Sequence, residues 1–201
     1  MGLRLVQELL GVSCLPLEAC PPPKQSLTCS RAFGKPVTTL TEMEEAVSAY
    51  TSRVAEKLRQ ERLAATVVTV FLMTNEFTEG PQYRNTLTMK LPVATDNSHE
   101  LIRSALQGIR TIYRDGYRYK KTGVLLTGFL PVSQVQTDVF DHQDRARSKR
   151  LMVALDAVND RWGAGTLAYA SSGLSPSWTT QFHRRSPAYT TDWNELPVVN
   201  A

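Results

Sequence analysis

The chain has 201 residues, 42% hydrophobic and 21% charged, which is enough for one good core or for one domain with a small second one, and too apolar for a disordered chain. No apolar run reaches membrane-spanning length, and the three cysteines, Cys14, Cys20 and Cys29, have no His or Cys partner at zinc spacing and are odd in number, which argues against a secreted disulfide frame. The net charge of +4 is uneven: residues 1–135 carry 16 Lys and Arg against 12 Asp and Glu, and the remainder is balanced, so the excess points to a polyanionic partner for the first two thirds.

Leu3, Val6 and Leu10 recur at helical spacing and Gly11 closes the run, predicting a helix over 3–11. Glu8 interrupts it and no small-residue cleavage site follows, so it is not a secretory leader, and a reduced, cytoplasmic setting is expected. Pro16 and Pro21-Pro22-Pro23 read as a stiff tether. Ser26–Phe33 alternates and is bounded by Gly34 and Pro36, the pattern of a strand. Thr41, with Glu44 three positions on, reads as the cap of a helix whose apolar face is Met43, Ala46, Val47, Tyr50, Val54 and Leu58. Its other face carries Arg53, Lys57, Arg59, Glu61 and Arg62, and the Glu44-Glu45 pair reads as solvated.

Ala65–Met73 is rich in Val, Thr and Phe and predicts a strand. Arg84–Leu91 predicts another, with Thr86, Thr88 and Lys90 on a wet face. Ser98 caps a helix with Leu101, Ile102, Ala105, Leu106, Ile109 and Ile112 as its face, ended by Asp115-Gly116. Tyr119–Leu130 is the last strand of the unit. Strand, helix, two strands, helix, strand is an α+β arrangement of the ferredoxin-like, βαββαβ kind. Two helices cover one sheet face and the other stays open.

Farther on, Arg145–Trp162 predicts a helix with Leu151, Met152, Leu155 and Val158 as its apolar face, and Thr166–Ser171 a short strand, together a small α/β C-terminal domain. Trp178, Phe182 and Trp193 are expected as its core, with a partner-binding surface as the alternative. His99, His142 and His183 are too scattered for a metal site, and no Ser/His/Asp or Cys/His set stands at a recognisable spacing, so no catalytic or metal-ligating residue is assigned and no cofactor is expected in this chain.

Between the two regions lies Gln136-Thr137-Asp138-Val139-Phe140. The glutamine amide offers donors and an acceptor to a polar slot, and Val139 and Phe140 can fill a hydrophobic pocket. The segment is a candidate docking peptide. It resembles the peptide that tethers polymerases to the sliding clamp.

Other segments carry a wider resemblance. Cys29-Ser30-Arg31-Ala32-Phe33-Gly34, after the proline-rich tether, is similar to the start of the little-finger domain of lesion-bypass, Y-family DNA polymerases of the UmuC type. Ala55-Glu56-Lys57-Leu58-Arg59 resembles that family's first little-finger helix, and Gly116-Tyr117-Arg118-Tyr119-Lys120-Lys121-Thr122-Gly123-Val124 its last strand. Ser186-Pro187-Ala188-Tyr189-Thr190-Thr191 resembles its C-terminal signature. The resemblance implies the end of a thumb and tether over 1–24, a little finger over 25–133, a clamp-binding linker over 134–144 and a small domain over 145–201.

It also implies DNA contact by Ser30, Arg31, Lys35, Arg84, Lys90, Arg118, Lys120 and Lys121, which would bring hydroxyls and cations to phosphates without reading sequence. Clamp contact would fall to Gln136, Thr137, Asp138, Val139 and Phe140. The family usually has leucine where Thr137 stands, a lost contact of on the order of 1 kcal/mol. Primer–template DNA, a sliding clamp, a UmuD-like accessory subunit and a recombinase filament are the implied partners, in a bacterial, nucleoid-associated setting during the SOS response. The paired carboxylates that hold two Mg²⁺ ions in the family's palm have no counterpart here, so any Mg²⁺ belongs to a catalytic half. The competing expectations are a standalone protein that competes for clamp or DNA, and an RNA-binding module. The latter is disfavoured because Phe71 is the one well-placed aromatic on the middle strands.

Overall fold

The computed structural model describes residues 2–15, 22–136, 144–180 and 186–196. An N-terminal helix, α1 (Gly2–Leu9), precedes β1 (Ser26–Val37), α2 (Leu40–Gln60), β2 (Leu63–Thr74), β3 (Arg84–Thr95), α3 (Ser98–Ile112) and β4 (Tyr119–Pro131), and α4 (Arg145–Trp162) follows. The βαββαβ order of the sequence reading is present. The four strands form one antiparallel sheet in the order β1-β4-β2-β3. Each helical crossover therefore skips a strand: α2 leads from β1 to β2 with β4 between them, and α3 leads from β3 to β4 with β2 between them.

Both crossovers pack on the same sheet face. Met43, Ala46, Val47, Val54 and Leu58 of α2 and Leu101, Ala105 and Ile109 of α3 are fully buried against Val68, Val70, Leu72, Val124 and Leu126. Burying each such Val or Leu contributes about 1.5–3 kcal/mol. The two helices thus bury their 3.6-period stripes on strands that bury every second residue. α3 lies so close that a Cβ on Gly108 would come within 2.4 Å of Met89 Cε and 2.8 Å of Val70 Cγ2.

Several boundaries differ from expectation. The cap of α2 is Thr39, not Thr41: its hydroxyl accepts from the Glu42 amide and donates to the Glu42 carboxylate, so the capping box sits two residues earlier. Asn97, not Ser98, caps α3 through the His99 amide. Strand β1 does not stop at Gly34 and Pro36 but runs to Val37, because a register irregularity between Ala32 and Val37 absorbs both residues.

The C-terminal region differs most. No strand forms over Thr166–Ser171, and the described residues there are loop followed by a short turn of 3₁₀ helix at Ala170–Ser172. Ser171 and Ser172 bond to the Ser48 hydroxyl of α2, at 2.6 and 3.2 Å. Of the expected α4 face only Met152 is buried, and Leu151 is 60% exposed. Rather than building a core of its own, the segment lies along the outer side of α2. Arg59 binds both carboxylate oxygens of Asp156 at 2.6 Å, and its remaining terminal nitrogen donates to the Asp96 carbonyl and the Ser98 hydroxyl. Arg145 pairs with Glu100 at 3.6 Å. Farther along, Ser177 donates to Glu42 at 2.6 Å, a bond that holds the Glu42 carboxyl below its ordinary pKa.

Trp178 ends this path. It is buried between Phe33 and Tyr50, edge-on to both, with its indole N–H directed at Glu45. Glu44 in turn holds Arg110 of α3 at 2.5 Å. The Glu44-Glu45 pair is therefore not a merely solvated face. Trp193 is 88% exposed, and Phe182 lies outside the described residues.

Arg59 is the best-buried charge among these pairs. Replacing Asp156 with Ala strands that charge and is expected to cost about 3 kcal/mol, whereas Arg59→Met with Asp156→Leu recovers most of the loss. Urea unfolding of the three variants checks the sign and the order. Burial also pushes the Tyr50 and Tyr113 phenols up to about 12. A phenol raised in the folded state gives its full stability below its unfolded value near 10 and loses it as pH rises toward 12. The chain is therefore expected to lose stability across that window, and Tyr50→Phe to lose less, as read from urea midpoints at about pH 9 and about pH 11.

Candidate nucleic-acid interface

Among the described residues, the sheet face turned away from α2 and α3 carries no helix. Strand register places its side chains in rows. Ser30, Gly123, Phe71 and Thr86 form one row, and Thr28, Leu125, Thr69 and Thr88 the next. Ser26, Thr127, Val67 and Lys90 lie beyond them at one end, and Ala32, Lys121, Met73 and Arg84 at the other. These rows are thus hydroxyl-rich, have cations toward both ends and contain no carboxylate. That composition suits phosphate oxygens, which accept from hydroxyls, ammonium groups and guanidinium groups without base selectivity.

The centre of the face is shaped by Gly123. A Cβ there would meet Ser30 Cβ at 2.4 Å and Phe71 Cζ at 2.6 Å, so the half-buried Phe71 ring lies over the glycine. Thr69 and Thr88 share a hydroxyl bond of 2.9 Å beside it. The surface is consequently low and flat at its middle, with Lys90, Lys121 and Arg84 around it.

The eight expected contact residues divide. Ser30, Arg84, Lys90 and Lys121 share the open face. Arg84 lies 4.0 Å from Glu76, with both side chains more than half exposed, a pair worth little in water. Lys120 is half-buried and donates to the Phe33 carbonyl at 3.1 Å, tying β4 to the irregular end of β1. With Arg118 it lines a cavity of about 320 Å³ against the 74–82 loop. Lys35 is exposed in the irregular end of β1. Arg31 pairs in register with Thr122, whose side chain is on the helix side, so it faces away from Ser30 and toward Arg53 of α2. Period-two alternation is the signal that separates Ser30 from Arg31 and Lys120 from Lys121. The same alternation would have found Thr28, Thr69 and Thr127, which the sequence reading omitted.

Of the docking peptide, Gln136 is exposed just after the 3₁₀ turn Val132–Gln134. Thr137, Asp138, Val139 and Phe140 lie outside the described residues. Among the described residues no group of three or more His, Cys, Asp or Glu could hold a metal ion, and no helix is long and apolar enough to cross a membrane.

Comparison with known proteins agrees with the fold. Residues 24–139 match the family model described as the impB/mucB/samB family C-terminal domain, and residues 149–199 match a domain of unknown function (DUF4113). Protein SamB of Salmonella typhimurium is 42% identical over 198 residues, covering 98% of this chain and 46% of its own length. Protein UmuC of Salmonella typhimurium strain LT2 is 40% identical over 195 residues, covering 96% of this chain and 46% of its own. Protein MucB of Escherichia coli is 41% identical over 198 residues, covering 98% of this chain and 46% of its own. The chain thus spans about half the length of these relatives. On this identity and the match over residues 24–139, the chain belongs to the impB/mucB/samB family, which includes UmuC, and carries its C-terminal domain.

Proposed function

We propose that the chain is the DNA-gripping and clamp-docking C-terminal part of a UmuC-type, error-prone lesion-bypass DNA polymerase that acts in DNA repair during the SOS response. The observation that carries the reading is the open sheet face: strand rows of cations and hydroxyls without a carboxylate among them, left uncovered by both helices. An enzyme that copies damaged templates has to hold a primed duplex whose sequence is arbitrary, and phosphate contact from a flat face does that. Ser30, Arg84, Lys90 and Lys121 make the grip, with Lys35 and Arg118 beyond its edge.

Nucleotidyl transfer belongs to the remainder of the polymerase, with its Mg²⁺ ions. Gln136, Val139 and Phe140 anchor the linker on a sliding clamp, which keeps the grip on DNA between catalytic events by raising its effective concentration. A UmuD-like accessory subunit and a recombinase filament complete the set of partners.

One binding experiment tests both parts. The purified chain should bind a primed duplex with an affinity that falls steeply with salt, with a log–log slope on the order of −0.9 per phosphate neutralised. Lys90→Ala with Lys121→Ala should flatten that slope by about 2. Gln136→Ala with Phe140→Ala should abolish capture by the bacterial clamp and leave DNA affinity unchanged. Salt-independent DNA binding, or joint loss of both partners in the linker variant, contradicts the reading.

A further inference from the structure

Besides the open face there is a second, differently built surface at the outer edge of β1. β1 ends the sheet, with β4 on one side only. The Gly34 amide donates outward to the Trp178 carbonyl at 3.2 Å, and the Ala32 carbonyl accepts outward from the Thr180 hydroxyl at 2.9 Å. In an antiparallel pair alternate residues turn their amides and carbonyls to the same side. The groups of Ser30, Thr28 and Ser26 therefore continue this outward row, and among the described residues nothing pairs with them.

Cations line this edge on its helix side. Helix α2 runs back along β1, and Arg53 and Lys57 stand one turn apart on it. Arg31 and Arg53 together border a cavity of about 230 Å³, floored by Tyr50 and Trp178. The fields of Arg31, Arg53 and Lys57 all reach Cys29 beneath them. None of the three has an anionic partner among the described residues. We propose that the β1 edge takes up an acidic, extended peptide of a partner protein as an added strand, with its carboxylates on Arg31, Arg53 and Lys57. The backbone row selects a peptide over a nucleic acid, because alternating donors and acceptors match another strand. The charge selects an acidic one. The chain's own Trp178–Thr180 segment already bonds this edge at one end. Its cations lie across β1 from the phosphate-binding rows, whereas Ser26, Thr28 and Ser30 give their backbone to this edge and their side chains to those rows.

The test uses the full 201-residue chain and two labelled probes, a peptide of alternating glutamate and threonine and its lysine–threonine counterpart. The glutamate peptide should bind and shift the amides of Ser26, Thr28 and Ser30, and the lysine peptide should not bind. Arg53→Glu with Lys57→Glu should weaken binding on the order of tenfold or more, and Arg53→Gln with Lys57→Gln by less. Thr28→Pro removes an outward amide, is tolerated on an edge strand, and should weaken the peptide. The proposal is overturned if the glutamate peptide does not bind, if its shifts fall elsewhere, or if Thr28→Pro binds it normally. It is also overturned if the charge variants lose primed duplex as strongly as peptide, which would make the patch a second nucleic-acid contact.

Discussion

A four-stranded sheet has two faces, and its two crossover helices lie on one of them. Everything proposed for this chain depends on that constraint. The covered face supplies the core, with α2 and α3 closing over the buried halves of β2 and β4. Among the described residues no helix covers the other face, and it is free to be polar without cost to the core. Its hydroxyls and cations stand on strands rather than loops, so their spacing is fixed by the hydrogen-bonded register and not by side-chain choice. Gly123 extends the same logic to the centre, where a side chain would lift Phe71 and break the flatness of the surface.

The second organising feature is α2, which is buried on two sides. The sheet covers one, and the segment after α4 covers the other. Ser48 and Thr51 lie on this helix and are fully buried. Their burial is tolerated because each hydroxyl is bonded, Ser48 to Ser171 and Ser172 and Thr51 to the Val47 carbonyl. Arg59 at one end and Trp178 at the other pin the covering segment. Its described residues lie on the helix side and reach β1 around Arg31–Gly34, away from the rows of the open face. Residues matching two family models, the C-terminal domain and the domain of unknown function, thus pack as neighbours through α2.

Much of this was legible in the residues. The stripes of α2 and α3 have the 3.6-residue period of a one-sided helix, and their expected faces are the buried ones. Thr86, Thr88 and Lys90 announce a wet strand face by alternation alone. What the residues did not reveal was which strands are central. Only the position of β4 between β1 and β2 sets Ser30, Gly123, Phe71 and Thr86 in one row. The fate of Arg31 follows from the same period of two, since a neighbour of Ser30 has to face the other way. Trp178 was read as the core of a separate appendage because aromatic residues in a short segment signal burial without saying against what. The caps slipped because Thr39 and Thr41 both precede a glutamate by three residues, and only the path of the backbone decides between them.

The central claim is that primed DNA lies on the open face. Titrating an isotope-labelled sample of the chain with a primed duplex and following its backbone amides by NMR tests this most directly. The account predicts shifts concentrated at Thr28, Ser30, Phe71, Thr86, Lys90, Lys121 and Gly123, with α2, α4 and the Trp178 segment silent. Shifts concentrated on α2 and α4, with the open-face rows unmoved, would contradict it.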